Sequence, residues 1–464
     1  MPRGTPYNVF RLLVPAQDNV LPNASTIELE GTLWTTTDYS PLLDDAVPEY
    51  TCISYSWGPD RTPNPIIPDQ WMSDRVIPVI ETAIRALRPT AIWIDAFCMP
   101  VREPERTACL RSMGSLYALA AQVIAVLSKS CSALLSGVAR SGALDEAGLL
   151  LLEKDEWVSR AWTYQEVVNS KSIHFAAEGG SASLDGAQFL NVVGNALEKY
   201  KKLYCCNSFT LRTLHPRLDS LEDTIADWLT ADFAKRSAYE AMSCMDRRTS
   251  ERKEDYFNAL IGAITAAPLR DPSATALHPA EYFMRLCEGK GDFSFIYSSA
   301  PRSNAPGRSW RPLAGPIPAI QPWHTFGDGQ SGRLCPRYLR LDNMCRLTRD
   351  PVSSTAEQFL RDWLRDSCED SAPGTTPQQI LTRLRQASFV GCGDFIELED
   401  GYFFPLTTNG IADYLLVFVA GGVRWPHGGP GLITTQDHAG LHQFRDVGVF
   451  VGPHPKSSES IDLA

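Results

Sequence analysis

The 464-residue chain carries 43 Lys and Arg against 54 Asp and Glu, a formal net charge of −11 at pH 7. With 44% hydrophobic and 21% charged residues, it has the balance of a globular protein with roughly two to four packing units. The acidity argues against nucleic acid as the main partner and leaves room only for a local basic groove. No apolar run reaches the ~18–20 residues of a membrane span, and MPRGTPYNVF lacks the apolar core of an export signal.

In chain order, the run 50–55 (YTCISY) reads as a strand that ends in the turn signal Ser56-Trp57-Gly58-Pro59. Residues 76–88 place Ile77, Ile80, Ile84 and Leu87 at helical spacing, and Pro89 stops the helix. A short buried strand is expected at 91–95 (AIWID). A helix over 104–120 follows, with Cys109, Met113, Leu116, Tyr117 and Ala120 on one face. The next strand is 122–127 (QVIAVL). A looser stretch, 131–153, precedes a helix over 156–169 and a strand at 172–176. Such alternation predicts a parallel sheet with right-handed crossovers.

Ligands of open parallel sheets collect at the strand carboxyl ends. Here those ends are Ser54-Tyr55-Ser56-Trp57-Gly58, Asp95-Ala96-Phe97-Cys98 and Ser128-Lys129-Ser130, a polar and aromatic rim suited to a small polar ligand with a flat ring. Neither a dinucleotide glycine fingerprint nor a P-loop is present. Beyond the sheet, 187–267 reads as mostly helical and 268–345 as irregular with short strands. Residues 350–386 read as helical again and 388–452 as β-rich, before a loose tail.

Twelve cysteines are scattered with no C-x-x-C pair, so free thiols in a cytoplasmic protein and no structural metal are expected. His438 and His442 have i,i+4 spacing, but a glycine separates them and no further ligand accompanies them.

The segment 157–168 (WVSRAWTYQEVV) carries the chemistry. On one continuous helix, Trp157, Ala161, Tyr164 and Val168 form a stripe expected to face the sheet. Ser159, Trp162, Glu166 and Asn169 form another, open to a cleft. Glu166 is then either a ligand-facing carboxylate or a solvated partner of Arg160 or Lys171. Asp95 is a ligand contact or a loop cap, and Tyr55 and Trp57 stack on a base or pack under a loop.

These blocks, YTCISYSWGP, IWIDAFCMP, MGSLYALAAQVIAVL and WVSRAWTYQEVV, resemble in order and spacing the HET (heterokaryon incompatibility) domain of filamentous fungi. MDRRTSERKEDYFNALIGAI, SFIYSSAPRSNAPGRSWRPLAG and GDFIELEDGYFFPLTTNG are similar to later blocks of the same proteins, so the resemblance spans about 50–450. One departure is Cys98-Met99-Pro100-Val101, where the family usually has Cys-Ile-(Asn/Asp)-Gln. HET domains in turn resemble TIR domains, some of which cleave NAD. AVLS at 125–128 followed by Trp162-Thr163-Tyr164-Gln165-Glu166 repeats the TIR interval from tryptophan to catalytic glutamate.

The resemblance implies a TIR/flavodoxin-like doubly wound α/β sheet in the N-terminal half, a helical middle and a smaller β-rich C-terminal unit. The expected divisions are lead-in strands at 1–48, the HET domain at 49–185, a helical region at 186–290, a β-rich region at 291–452 and a tail at 453–464. Glu166 is the implied catalytic residue, and Ser54, Tyr55, Trp57, Gly58, Asp95, Ser128, Arg160 and Trp162 are substrate-binding candidates. No bound cofactor is implied, because NAD would be the substrate. Three functions stay open: NAD glycohydrolase activity in fungal self/non-self recognition and cell death, akin to innate immunity; a non-catalytic self-association or protein-binding module; and a biosynthetic transferase on the same scaffold.

Overall fold

The computed structural model describes residues 10–16, 26–39, 47–180, 182–204, 208–230, 236–265, 272–320, 327–365, 376–387, 389–408, 412 and 414–464. The chain begins with β1 (Phe10–Pro15), β2 (Thr26–Leu29), β3 (Thr32–Tyr39) and β4 (Thr51–Tyr55). The hairpin β5 (Arg61–Pro63) and β6 (Trp71–Ser73) comes next, then α1 (Val76–Leu87), β7 (Ile92–Trp93), α2 (Asp95–Cys98) and α3 (Glu105–Leu119). After β8 (Gln122–Leu127) come α4 (Ser132–Ser141), α5 (Glu146–Lys154), α6 (Glu156–Ser159), α7 (Ala161–Val168), β9 (Ile173–Ala177) and β10 (Ser183–Asp185). The helical middle comprises α8 (Gly186–Leu203), α9 (Ser208–Leu214), α10 (Pro216–Thr230), α11 (Ala238–Met245) and α12 (Lys253–Ile264).

The residues divide into two compact units. The first is Met1–Tyr204, His215–Phe233 and Arg247–Leu277; the second is Cys205–Leu214, Ala234–Asp246 and His278–Ala464. Within the first unit, β1–β3, α10 and α12 pack with the elements of 49–185.

In the first unit one eight-stranded sheet runs β10-β9-β8-β4-β7-β1-β3-β2. Its centre, β9-β8-β4-β7, is parallel, and antiparallel strands flank it on both sides. Every side chain of β4 is buried, as are the last five of β8, which is why these strands read as continuous apolar runs rather than alternating ones. Side chains of β4 alternate across the sheet. Cys52 Sγ lies 3.7 Å from the Leu116 carbonyl of α3, and Ser54 points the same way, toward α7.

Two expectations change here. The strand expected at 91–95 is only Ile92–Trp93, because Asp95 already opens α2. The loose stretch 131–153 contains α4 and α5, whose Leu134, Leu135, Val138, Leu149 and Leu152 are buried; Asp145 caps α5 by accepting from Gly148 N at 2.9 Å. Glycine and serine punctuation hid these helices from a periodicity reading.

The second unit contains α13 (Pro279–Lys290), so 268–345 is more regular than its composition indicates. It also holds β11 (Gly332–Leu334), β12 (Leu339–Leu347), α14 (Ser354–Arg365) and α15 (Pro377–Gln386). Six strands follow: β13 (Ile396–Leu398), β14 (Gly401–Pro405), β15 (Leu416–Ala420), β16 (Gly428–Gln436), β17 (His442–Val451) and β18 (Glu459–Leu463). The sheet order is β11-β12-β15-β16-β17-β14-β13, and β18 pairs with both β12 and β17. The pairings β12-β15-β16-β17-β18-β12 therefore close a ring, and Cys345, Val417, Val419, Ile433 and Phe450 belong to one buried hydrophobic cluster on its strands. The expected loose tail is thus a strand: Ile461 and Leu463 alternate into the interior, a pattern too short to stand out in the sequence. A cavity of about 560 Å³ opens in this unit, lined by Pro336, Arg337, Tyr338, Ala439, Gly440, Leu441 and Asp462.

In the first unit, α3, α7 and α12 pack together, and two glycines set their spacing. A Cβ on Gly114 of α3 would meet the Gly262 carbonyl of α12, Thr265 O at 2.7 Å and Gly262 Cα at 2.8 Å. Backbone cannot retreat as a side-chain tip can. Gly114→Ala should therefore destabilise the first unit by about 3 kcal/mol, the upper part of the overpacking range. Gly194→Ala in α8, where an added Cβ meets nothing within 4 Å, should stabilise it by about 0.5–1 kcal/mol. Denaturant titration of both variants checks the contrast.

Candidate functional site at the carboxyl edge of the parallel strands

The segment 156–169 is not one helix. Arg160 has φ −78° and ψ 140°, extended backbone that separates α6 from α7. The break is fixed from outside: Ala161 N donates to Thr249 O at 2.9 Å, Thr249 N donates to Ser159 O at 2.6 Å, and Arg248 Nη1 donates to the Arg160 carbonyl at 2.9 Å. Asp155 holds the other end. Its Oδ1 accepts from Trp157 N at 2.9 Å while its Oδ2 accepts from Ser128 N at 2.9 Å and Ser128 Oγ at 2.6 Å, stapling α6 to the end of β8.

The break re-phases α7 and exchanges the faces expected of Tyr164 and Glu166, while Trp157 meets the sheet as expected. Tyr164, expected to face the sheet, sends its hydroxyl to Asp227 Oδ2 of α10 at 2.6 Å, with the Arg248 guanidinium 5.6 Å from its ring centroid. Glu166, expected to face an open cleft or solvent, turns to the sheet and is 6% exposed. All of α7 except Trp162 is buried, so a helix with apolar contact on every side gives no usable amphipathic signal.

Glu166 Oε2 accepts from Ser54 Oγ at 2.5 Å. Ser54 Oγ in turn accepts from Trp157 Nε1 at 2.7 Å, and the Trp157 ring stands edge-on to Phe175 with centroids 5.5 Å apart. The Tyr117 hydroxyl of α3 also lies against this carboxylate. Burial pushes the Glu166 carboxyl up to about 7; Ser54, Arg160 and Tyr117 oppose that rise and Asp95 adds to it.

A second group sits beside it. Asp95 Oδ1 accepts from Tyr55 OH at 2.9 Å and from Ala96 N at 2.7 Å, and its Oδ2 accepts from Trp57 Nε1 at 2.7 Å. Asp95 thus stands in the first turn of α2 and anchors two aromatic side chains. The Arg61 guanidinium lies 5.1 Å from the Trp57 ring centroid. Gly58 takes φ +65°, and an added Cβ would stand 3.3 Å from Arg75 Cδ. Arg75 in turn donates to Ser56 O at 2.8 Å and to Glu178 at 2.7 Å. Trp162 is tied to α12 through a hydrogen bond to Asp255.

Of the sequence candidates, Ser54, Tyr55, Trp57, Asp95, Arg160 and Glu166 are brought together by hydrogen bonds or electrostatic contact. Gly58 continues the same loop. Ser128 is committed to Asp155, and Trp162 to Asp255. Sequence reasoning missed Tyr117, Asp155 and the role of Trp157. Asp155 had a signal, an acid directly before a helix start; the other two look like ordinary core residues. Arg160 differs from its neighbours: its guanidinium has no hydrogen bond or ion pair among the described residues, although its charge acts on Glu166 and Tyr55. Nine cysteines are free thiols; Cys205, Cys206 and Cys368 lie outside the described residues.

Fold and site together define a mixed α/β protein with a buried carboxylate under the carboxyl end of a central parallel strand. Residues 50–147 match the family model for heterokaryon incompatibility protein (HET), and the chain carries a HET domain over that stretch. No curated protein and no solved structure matches it.

Because the folded state holds the Glu166 proton up to about pH 7, against 4.5 for an ordinary glutamate, it binds more protons than the unfolded chain between those values. Stability from this group is then greatest at low pH and is lost as pH rises through 7. Moving from pH 5 to pH 8 should cost wild type about 2–3 kcal/mol more than Glu166→Gln, which keeps an acceptor for Ser54 but does not titrate. Denaturant midpoints at the two pH values measure the difference.

Proposed function

We propose that this HET-domain protein is a TIR-like NAD glycohydrolase of the fungal cytoplasm, acting in self/non-self recognition and cell death. The observation that carries this reading is the position of Glu166: a buried carboxylate beneath the end of β4, where β4 meets β8. Counting only parallel strands, the order is 2-1-3-4 (β7-β4-β8-β9), the arrangement of flavodoxin-like doubly wound sheets, whose ligands bind at the crevice between strands 1 and 3. The four-residue interval from Trp162 to Glu166 supports the same reading, as do the nine reduced cysteines.

The chemistry follows from the groups present. The Arg160 guanidinium, unpaired among the described residues, suits a pyrophosphate, and the indole of Trp57 offers a flat face to a ring. As the nicotinamide–ribose bond breaks, its electron pair leaves with neutral nicotinamide and positive charge develops on the ribose. Water then adds to that carbon, giving ADP-ribose and a proton. An ionised Glu166 stabilises the developing charge in a site where water screens little. Turnover accordingly rises with pH through about 7, the value to which burial pushes this carboxyl.

One observation favours a second reading, a non-catalytic self-associating module. Glu166 is 6% exposed and already met by Ser54 and Tyr117, as a structural acid would be.

Glu166→Gln should lower NAD cleavage by on the order of 10²–10³ while leaving NAD affinity nearly unchanged. Glu156→Gln, on the exposed start of α6, should keep wild-type turnover and stay within about 0.5 kcal/mol of wild-type stability. Nicotinamide release by equally folded variants, followed by chromatography at several protein concentrations, decides the matter. Equal turnover in wild type and Glu166→Gln, or none in either, would leave the self-associating module.

A further inference from the structure

We propose that Ser54 is the positioning residue of the Glu166 site: held by Trp157, its hydroxyl gives its only proton to Glu166 Oε2 and aims the carboxylate. The consequence for turnover rests on the catalytic reading of Glu166 given above; the hydrogen-bond assignment stands on geometry alone.

An indole N–H donates and cannot accept. Trp157 Nε1, 2.7 Å from Ser54 Oγ, therefore occupies a serine lone pair, and the one hydroxyl proton is left for Glu166 Oε2 at 2.5 Å. The direction cannot be reversed. Were the carboxyl to carry its own proton on Oε2, Ser54 Oγ would face two donors and its own proton would lack an acceptor. A neutral Glu166 must consequently carry its proton on the other oxygen, and Oε2 stays an acceptor in both states. Ser54 is fully buried, so water does not compete for either partner. This assignment changes the role expected of Ser54, whose hydroxyl is engaged on both sides and is not offered to a ligand.

The groups acting on Glu166 come from every element around it. From β4 come Ser54 and the neutral Cys52 and Tyr55; from α3 comes Tyr117; from the start of α2 comes the opposing charge of Asp95; from the break before α7 comes Arg160. Trp157 of α6 acts only through Ser54. Ser54 supplies the largest of the contributions that favour the ionised form. Without it, burial and Asp95 are less opposed, and the carboxylate loses the donor that fixes its rotamer.

The test uses the 464-residue chain labelled with carboxyl-¹³C glutamate, the Glu166 signal being the one absent from Glu166→Gln. Its pH titration is followed in wild type, Ser54→Ala, Ser54→Thr and Trp157→Phe, alongside the pH dependence of NAD cleavage. Ser54→Ala should move the carboxyl midpoint upward by about one unit or more, Trp157→Phe by less in the same direction, and Ser54→Thr, which keeps a hydroxyl, by little. Where NAD is cleaved, the rate profile should move with the carboxyl: Ser54→Ala about tenfold slower at pH 7 and recovering above pH 9. A merely structural serine would lower the rate equally at every pH. A Glu166 midpoint unchanged in folded Ser54→Ala overturns the proposal. If Ser54→Ala does not fold, an unchanged midpoint in Trp157→Phe overturns it and an upward shift supports it. An upward shift in a protein that cleaves no NAD supports the positioning role and removes the catalytic reading of Glu166 instead.

Discussion

A carboxylate taken out of water must be met by donors or give up its charge, and much of the first unit is arranged around that requirement at Glu166. Ser54 comes from the central strand, Tyr117 from α3, and Trp157 from the short helix that the chain interrupts at Arg160 to bring α7 into phase. The interruption itself needs support. Residues 248 and 249 supply it from far along the chain, binding the peptide groups of Ser159, Arg160 and Ala161 that the break leaves without helical partners. Asp155 then ties the same short helix to the end of β8. Removing any one of these does not simply delete a contact; it leaves a buried polar group without its partner.

The family match at 50–147 ends before α6, so the matched residues contain Ser54, Asp95 and Tyr117 but neither Trp157 nor Glu166. The site is built where that stretch meets what comes later. A polar seam runs between α7 and α12. Trp162 bonds Asp255, Asn169 Nδ2 donates to Gly262 O at 2.6 Å, and the Gln165 side chain fills the space that the absence of a Cβ at Gly262 leaves. Helix α12 thus acts as the back wall of the helix that carries the carboxylate.

Much of this was legible in the sequence, because the central strands are buried on both faces and read as uninterrupted apolar runs. The strand-end residues 54–58 and Asp95 followed directly from that pattern. Glu166 was legible as a candidate but not as a buried group. Its neighbours Tyr164 and Val168 fit an apolar stripe equally well, and only the extended backbone at Arg160 decides which face meets the sheet. Trp157 could not be distinguished from a core tryptophan, since its function is carried by one N–H. The closing strand β18 pairs with residues more than a hundred positions earlier, a relation to which local patterning is blind.

The interleaving of the two units has a consequence for synthesis on the ribosome. The strands of the first sheet emerge early, but α12, which packs on α3 and α7, is made only after the chain has passed through segments of the second unit. Until then the glycine face of α3 and the amide of Gln165 have no covering. The nascent first unit must therefore wait as an incomplete intermediate with an exposed seam, the kind of species that holding chaperones bind. Its last packing step falls well after translation of the family-matched stretch.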